Sequence, residues 1–180
     1  MGRPKLSLKF DKNSIFLEKI ITGYHSFGCR KIIVVLNEGG KTFLKNNPIK
    51  LFSNITIVTN SHPEWERFYS IKIGLQQLYE FNGAFIHNVD NPFVPKQVLK
   101  SLQGGLGGTD YVVPYFKGRG GHPVLLSKKI IKHIISEKSP DLNFRDFLKG
   151  YAKNVVEVGD ERVLVNVNSG GEYEWFIGGR

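Results

Sequence analysis

The stretch Ala84-Phe85-Ile86-His87-Asn88-Val89-Asp90-Asn91-Pro92-Phe93-Val94 decides how the rest of the chain is read. Ala84 to Val89 is a strand-length run with apolar positions, and Asp90 ends it. Pro95 suits the first turn of a helix that continues to about Leu102. A strand that hands over to a helix is the repeating unit of an α/β sheet.

Working outward, the same alternation recurs on both sides. Upstream, Ser14 to Tyr24 carries Ile15, Leu17, Ile20, Ile21 and Tyr24 at helical spacing, with Gly28 placed where the chain can turn away. Ile32 to Leu36 follows as a buried type of strand, broken by Asn37 to Gly40 and a short helix. Ile55 to Val58 is a second β-rich run, and Phe68 to Tyr79 returns to a helical period through Ile71, Leu75 and Leu78. Downstream, Gly104 to Gly108 is a flexible link before a strand at Tyr111 to Tyr115. His122 to Leu126 reads as extended, Lys128 to Glu137 as a basic amphipathic helix, and Phe144 to Leu148 as a short helix. Val155 to Val158 and Val163 to Val167 read as β-rich, and a closing helix lies near Glu172. The pattern predicts an α/β fold with helices covering a sheet, and the 180-residue length fits one domain, residues 1–180.

Composition narrows the function classes. With 41% hydrophobic and 23% charged residues the chain is an ordinary globular protein rather than a disordered or fibrous one. Neither a membrane-length apolar run nor a secretory leader is visible, so the expected compartment is the cytoplasm and no membrane partner is expected. The single cysteine, Cys29, has no intramolecular partner and reads as a partly buried filler. A net charge of +9 points to an anionic partner. The cations are scattered, without the basic and aromatic stripe of a nucleic-acid reader, which argues against nucleic acid; phosphorylated small molecules suit the charge equally well.

In open α/β sheets ligands bind beyond the carboxyl ends of the strands, which directs attention to four segments. Asp90 is placed to hold a magnesium ion against phosphates or, alternatively, to cap the helix or turn that follows. Asn60 through Leu75 contains Ser70, which on its own reads as an N-cap or exposed helix serine. Met1-Gly2-Arg3-Pro4-Lys5-Leu6 supplies a glycine and two cations, and on its own reads as a frayed basic terminus. Gly118-Arg119-Gly120-Gly121-His122-Pro123-Val124 and Asn166-Val167-Asn168-Ser169 with Glu172 and Tyr173 make up the fourth. A lone His122 beside proline is more commonly structural.

In this order, these segments resemble the molybdenum-cofactor nucleotidyltransferase family. Met1 to Lys5 resembles the second half of its phosphate loop, Leu-Ala-Ala-Gly-x-Ser-x-Arg-Met-Gly-x-Pro-Lys. Val89 to Val94 resembles its Val-Asp-x-Pro-Phe-Val motif, and Asn60, Ser70, Ile71, Gly74 and Leu75 resemble its Asn…Gly-x-x-x-Ser-(Ile/Leu)-x-x-Gly-Leu pattern. The Gly-His-Pro-Val segment resembles the mark of the cytidylyl-type branch. The resemblance implies a Rossmann-like, mostly parallel sheet of the nucleotide-diphospho-sugar transferase type. It implies Lys5 and Asp90 as catalytic residues, and Gly2, Arg3, Lys5, Asn60 and Ser70 as nucleotide contacts. Gly121 and His122 would meet the acceptor, while Asp90 and Asn168 would hold Mg2+.

The implied reaction transfers a nucleoside monophosphate, CMP from CTP ahead of GMP from GTP, to the phosphate of molybdopterin with loss of pyrophosphate. A sugar or alditol phosphate is the alternative acceptor, and a non-catalytic nucleotide- or partner-binding remnant is the alternative outside enzymes. The implied protein partner is a molybdoenzyme or its chaperone. The family also has a strand and the first half of the phosphate loop ahead of the point where this sequence begins. The accompanying expectation is a shortened amino terminus that lacks the central first strand, with activity lowered or lost.

Overall fold

The computed structural model describes residues 5–178, apart from the side chain of Glu66. A 3-10 turn at Lys5–Ser7 leads to α1 (Phe16–Phe27), where Glu18 reaches back to accept from the Ile15 amide at 3.0 Å. Gly28 closes that helix with φ of 94°, a left-handed conformation that a side chain would strain. Next come β1 (Ile32–Leu36), α2 (Glu38–Asn46) capped by the Asn37 side chain, β2 (Ile55–Thr59), α3 (Glu66–Leu75) and β3 (Gly83–Ile86). The second half holds α4 (Lys96–Gly104), β4 (Tyr111–Phe116), β5 (Arg119–Gly120), β6 (Val124–Ser127) and α5 (Lys128–Ser136). It closes with α6 (Phe144–Leu148), β7 (Lys153–Glu157), a 3-10 turn at Glu161–Leu164 and α7 (Gly170–Gly178).

β1 and β2 pair in parallel, Ile32 opposite Ile55 through Leu36 opposite Thr59. β3, β6 and β4 form a second ladder in which β6 runs against both neighbours, so β3 and β4 point the same way. β7 adds in parallel to the other edge of β4, and β5 continues the hairpin towards β6. The parallel ladders are β1 with β2 and β4 with β7, while β3 is aligned with β4 through the antiparallel β6; among the described residues the two groups share no ladder.

Helices cover both faces. α3 lies on β1 closely enough that a Cβ on Gly74 would stand 2.9 Å from Val35 Cγ2. Ile130, Ile131 and Ile134 of α5 are fully buried beside Phe68 and Leu126. On the other face Leu17, Ile21 and Tyr24 of α1 share a cluster with Leu99 of α4 and with Ile32, Val34 and Leu36. Each such side chain stabilises the fold by about 1.5–3 kcal/mol relative to an exposed one.

Three expectations shift. α3 starts at Glu66 and ends at Leu75, short of Tyr79, which is 81% exposed. Ser70 is thus the fifth residue of α3 and not its N-cap. Val163 to Val167 forms no ladder, because Asp160 caps a 3-10 turn there through the Arg162 amide at 3.0 Å. The carbonyls of Arg162 and Val163 accept from Asn91 Nδ2 and the His122 amide, which leaves them unavailable to a neighbouring strand.

Candidate active site

The carboxyl end of β3 carries the chain through His87 and Asn88 to Asp90. Asp90 stands between two segments remote in sequence. Its backbone carbonyl accepts from the Val167 amide at 2.9 Å, which seats Asn168 beside it. An aromatic cluster fixes this junction from below: Phe10, Phe16, Phe93 and Phe176 meet edge-on or tilted at 5.3–6.5 Å, and Tyr173 packs on Phe16. The amino-terminal segment, α1, the turn after Asp90 and α7 are thereby held as one block.

Lys5, from the first described turn, enters this junction. Its ammonium donates to Asn168 Oδ1 at 2.5 Å and lies 3.8 Å from Asp90 Oδ2. Glu172 accepts from the Asn168 and Ser169 amides at 2.7 and 2.8 Å, so the Asn168 loop is tied down independently of Lys5. The other Asp90 oxygen, Oδ1, is buried and has no hydrogen-bond partner among the described residues. A buried carboxylate oxygen left unsatisfied is costly, and a cation or hydrogen-bond donor reaching it would offset that cost. Among the described residues no cluster of three His, Cys, Asp or Glu side chains could cage a metal unaided. One carboxylate and one amide oxygen, completed by substrate oxygens, is a donor set that suits magnesium or manganese.

Asn60 and Ser70 form a second group. Asn60 is buried at the end of β2, its amide donating to the Leu36 carbonyl at 2.6 Å. Its Nδ2 donates to Ser70 Oγ at 2.9 Å and its Oδ1 accepts from the His62 amide at 2.7 Å. With Val35, Leu36, Asn37, Pro63 and Arg67 these two residues line an open cleft of about 330 Å³. His62, Trp65 and Tyr69 stand next along the chain, His62 stacked on Trp65 at 4.0 Å and Trp65 edge-on to Tyr69 at 4.8 Å.

Arg67 connects the two groups electrostatically. Burial pulls its guanidinium below the usual arginine range, while the neighbouring Asp90 pushes it back up. His122 belongs to the same field: burial lowers its imidazole, Arg67 lowers it further and Asp90 opposes both. Its Nδ1 is buried without a partner among the described residues. Gly121 lets this segment approach, since a Cβ there would stand 2.8 Å from the Val163 carbonyl carbon and Cβ.

The structure thus brings Lys5, Asp90 and Asn168 into direct reach, pairs Asn60 with Ser70, and sets His122 in the field of Asp90. Gly2 and Arg3 lie outside the described residues. Three contributors escaped the reading of the sequence: Arg67, His87 and Asn91. For Asn91 a signal existed, because Asn before Pro favours an Asx turn, and here Asn91 Oδ1 accepts from the Phe93 amide at 3.0 Å.

The family model of the MobA-like NTP transferase domain matches residues 1–158, most of the described structure and most of this site. The chain belongs to that family. Its members are nucleotidyltransferases. Rv0371C of Mycobacterium tuberculosis H37Rv, solved in complex with manganese, is 16% identical with a TM-score of 0.79 over 98% of this chain and 93% of that one. The 4-diphosphocytidyl-2C-methyl-D-erythritol synthase of Anaerococcus prevotii DSM 20548 is 15% identical, with a TM-score of 0.73 over 94% and 90%. Molybdopterin-guanine dinucleotide biosynthesis protein A of Archaeoglobus fulgidus is 14% identical, with a TM-score of 0.67 over 95% and 88%. No curated protein sequence matches the chain. Among the described residues no helix is long and apolar enough to cross a membrane.

Proposed function

We propose that this MobA-like chain is a magnesium-dependent nucleotidyltransferase that transfers CMP from CTP to the phosphate of molybdopterin and releases pyrophosphate. The observation that carries the reading is the junction of Lys5, Asn168 and the unpartnered Asp90 oxygen beyond the end of β3. Asp90 and Asn168 would hold the divalent cation, which when bound neutralises phosphate charge. The manganese complex of the M. tuberculosis relative supports a divalent cation in this fold. Lys5 would turn its ammonium from Asn168 towards the α and β phosphates, countering the charge that develops as the bond to pyrophosphate breaks.

The Asn60, Ser70 and Arg67 cleft would seat the nucleoside, with Gly2 and Arg3 as further nucleotide contacts. Gly121 and His122 would face the acceptor. A phosphate acceptor is already anionic, so in-line attack on the α-phosphorus needs no general base, and positioning with charge neutralisation supplies the catalysis. The Gly-His-Pro-Val segment supports CTP and molybdopterin. The A. prevotii relative supports a second reading, in which an alditol phosphate is the acceptor.

Pyrophosphate release measured across CTP, GTP, ATP and UTP, each with molybdopterin or an alditol phosphate, tests both readings. Turnover with molybdopterin and CTP supports the first, and turnover with an alditol phosphate alone replaces it by the second. Nucleotide binding without turnover on any acceptor contradicts both.

A further inference from the structure

His87 is partly buried just past β3, with Nε2 2.6 Å from the Asn91 carbonyl oxygen and Nδ1 2.8 Å from the Tyr24 hydroxyl. A carbonyl only accepts, so Nε2 carries the proton, and Nδ1 accepts from Tyr24 O–H. Tyr24 belongs to α1, is buried and meets the His87 ring edge-on at 5.5 Å. The Asn91 peptide is thereby anchored to a helix on one face of the sheet.

Asn91 is held from the other side as well. It is fully buried, and its Nδ2 donates to the Arg162 carbonyl at 3.0 Å, within the turn that leads to Asn168. Among the described residues the Asp90 carboxylate has no such support at Oδ1, and its only side-chain contact at Oδ2 is the Lys5 ammonium at 3.8 Å. The backbone on either side, clamped by the Val167 amide and the His87 imidazole, contributes the rest of its orientation. We infer that His87 is a positioning residue, which orients the Asp90 carboxylate towards its metal–nucleotide ligand by hydrogen-bonding the Asn91 carbonyl, with Tyr24 selecting the tautomer. This inference rests on the nucleotidyltransferase reading, because it is that reading which gives Asp90 a metal–nucleotide ligand.

The test compares Mn2+ binding in the presence of CTP, followed by water-proton relaxation, with binding of CTP without metal. His87→Leu packs the site but cannot donate, whereas His87→Gln offers an amide N–H to the same carbonyl. Loss of an outer hydrogen bond of this kind costs about tenfold or more in metal affinity. The expected result is that loss in His87→Leu, recovery of most of it in His87→Gln, and metal-free CTP binding unchanged in both. A merely structural role would lower all binding together.

Wild-type Mn2+–CTP affinity in His87→Leu overturns the inference, as does failure of His87→Gln to restore it. Should His87→Leu not fold, Tyr24→Phe with nitrogen NMR of the imidazole serves instead. A single Nε2–H tautomer in the wild type that becomes mixed in Tyr24→Phe, together with weakened Mn2+–CTP binding, supports the role; a mixed tautomer in the wild type overturns it. A wild-type chain that takes up no Mn2+ with any nucleotide brings down the nucleotidyltransferase reading and this inference together, a result distinct from a normal wild type with an unaffected variant.

Discussion

Asp90, Lys5 and His87 give the account its sharpest consequences. Lys5 alone among the described cations spans Asp90 and Asn168, so Lys5→Ala should leave the fold intact and weaken triphosphate binding. Loss of a hydrogen bond to a charged group costs about 1.5–3 kcal/mol, or roughly ten- to a hundredfold in affinity, measurable by calorimetric titration. His87 yields a pH prediction. Burial pushes its imidazole down to about 4, below the usual 6.5 of an exposed histidine. The unfolded chain thus takes up a proton between those values that the folded chain refuses. Stability is full above about pH 6.5 and falls as pH drops towards 4, by up to about 3 kcal/mol. Urea melts between pH 7 and pH 4.5 should show this decline, and His87→Gln should reduce its slope.

The elements that position these side chains depend on a few close approaches. Gly74 seats α3 on β1, and Gly121 seats the His122 segment on Val163. Gly121→Ala should destabilise by about 1–3 kcal/mol, because backbone atoms and not a flexible side-chain end must give way; an unchanged melting temperature would contradict the packing. Most elements were legible because their signals are local: the period of Ile15 to Tyr24, the Gly28 stop, the apolar run at Ile32 to Leu36. Where the reading slipped, contacts between distant segments decided the outcome. Val163 to Val167 has strand composition, yet Asn91 and His122 claim its carbonyls and Asp160 turns it. The site divides in the same way. Lys5, Asp90 and Asn168 stand in motifs whose order points to them, whereas Arg67 and His87 acquire their surroundings only when α3, β3 and α1 are packed together.

Across the whole molecule, the site lies where two strand groups and both ends of the described chain converge. β4 is paired along both edges, to β6 and β7, while β2, among the described residues, pairs only with β1 and is half-buried. Hydrogen exchange should therefore be slowest in β4 and markedly faster in β2; equal protection would contradict this division of stability. The aromatic block of Phe10, Phe16, Phe93 and Phe176 couples the Lys5 and Asn168 segments to the Asp90 turn. Phe176→Ala should cost about 3–5 kcal/mol and loosen nucleotide binding with it, both read from melts with and without CTP. The most direct measurement is a calorimetric titration of CTP and GTP with and without Mg2+, on the wild type and on Asp90→Ala. Mg2+ should tighten binding of one nucleotide in the wild type, and Asp90→Ala should abolish that gain while keeping the metal-free affinity. An equal gain from Mg2+ in both proteins would contradict the metal role of Asp90.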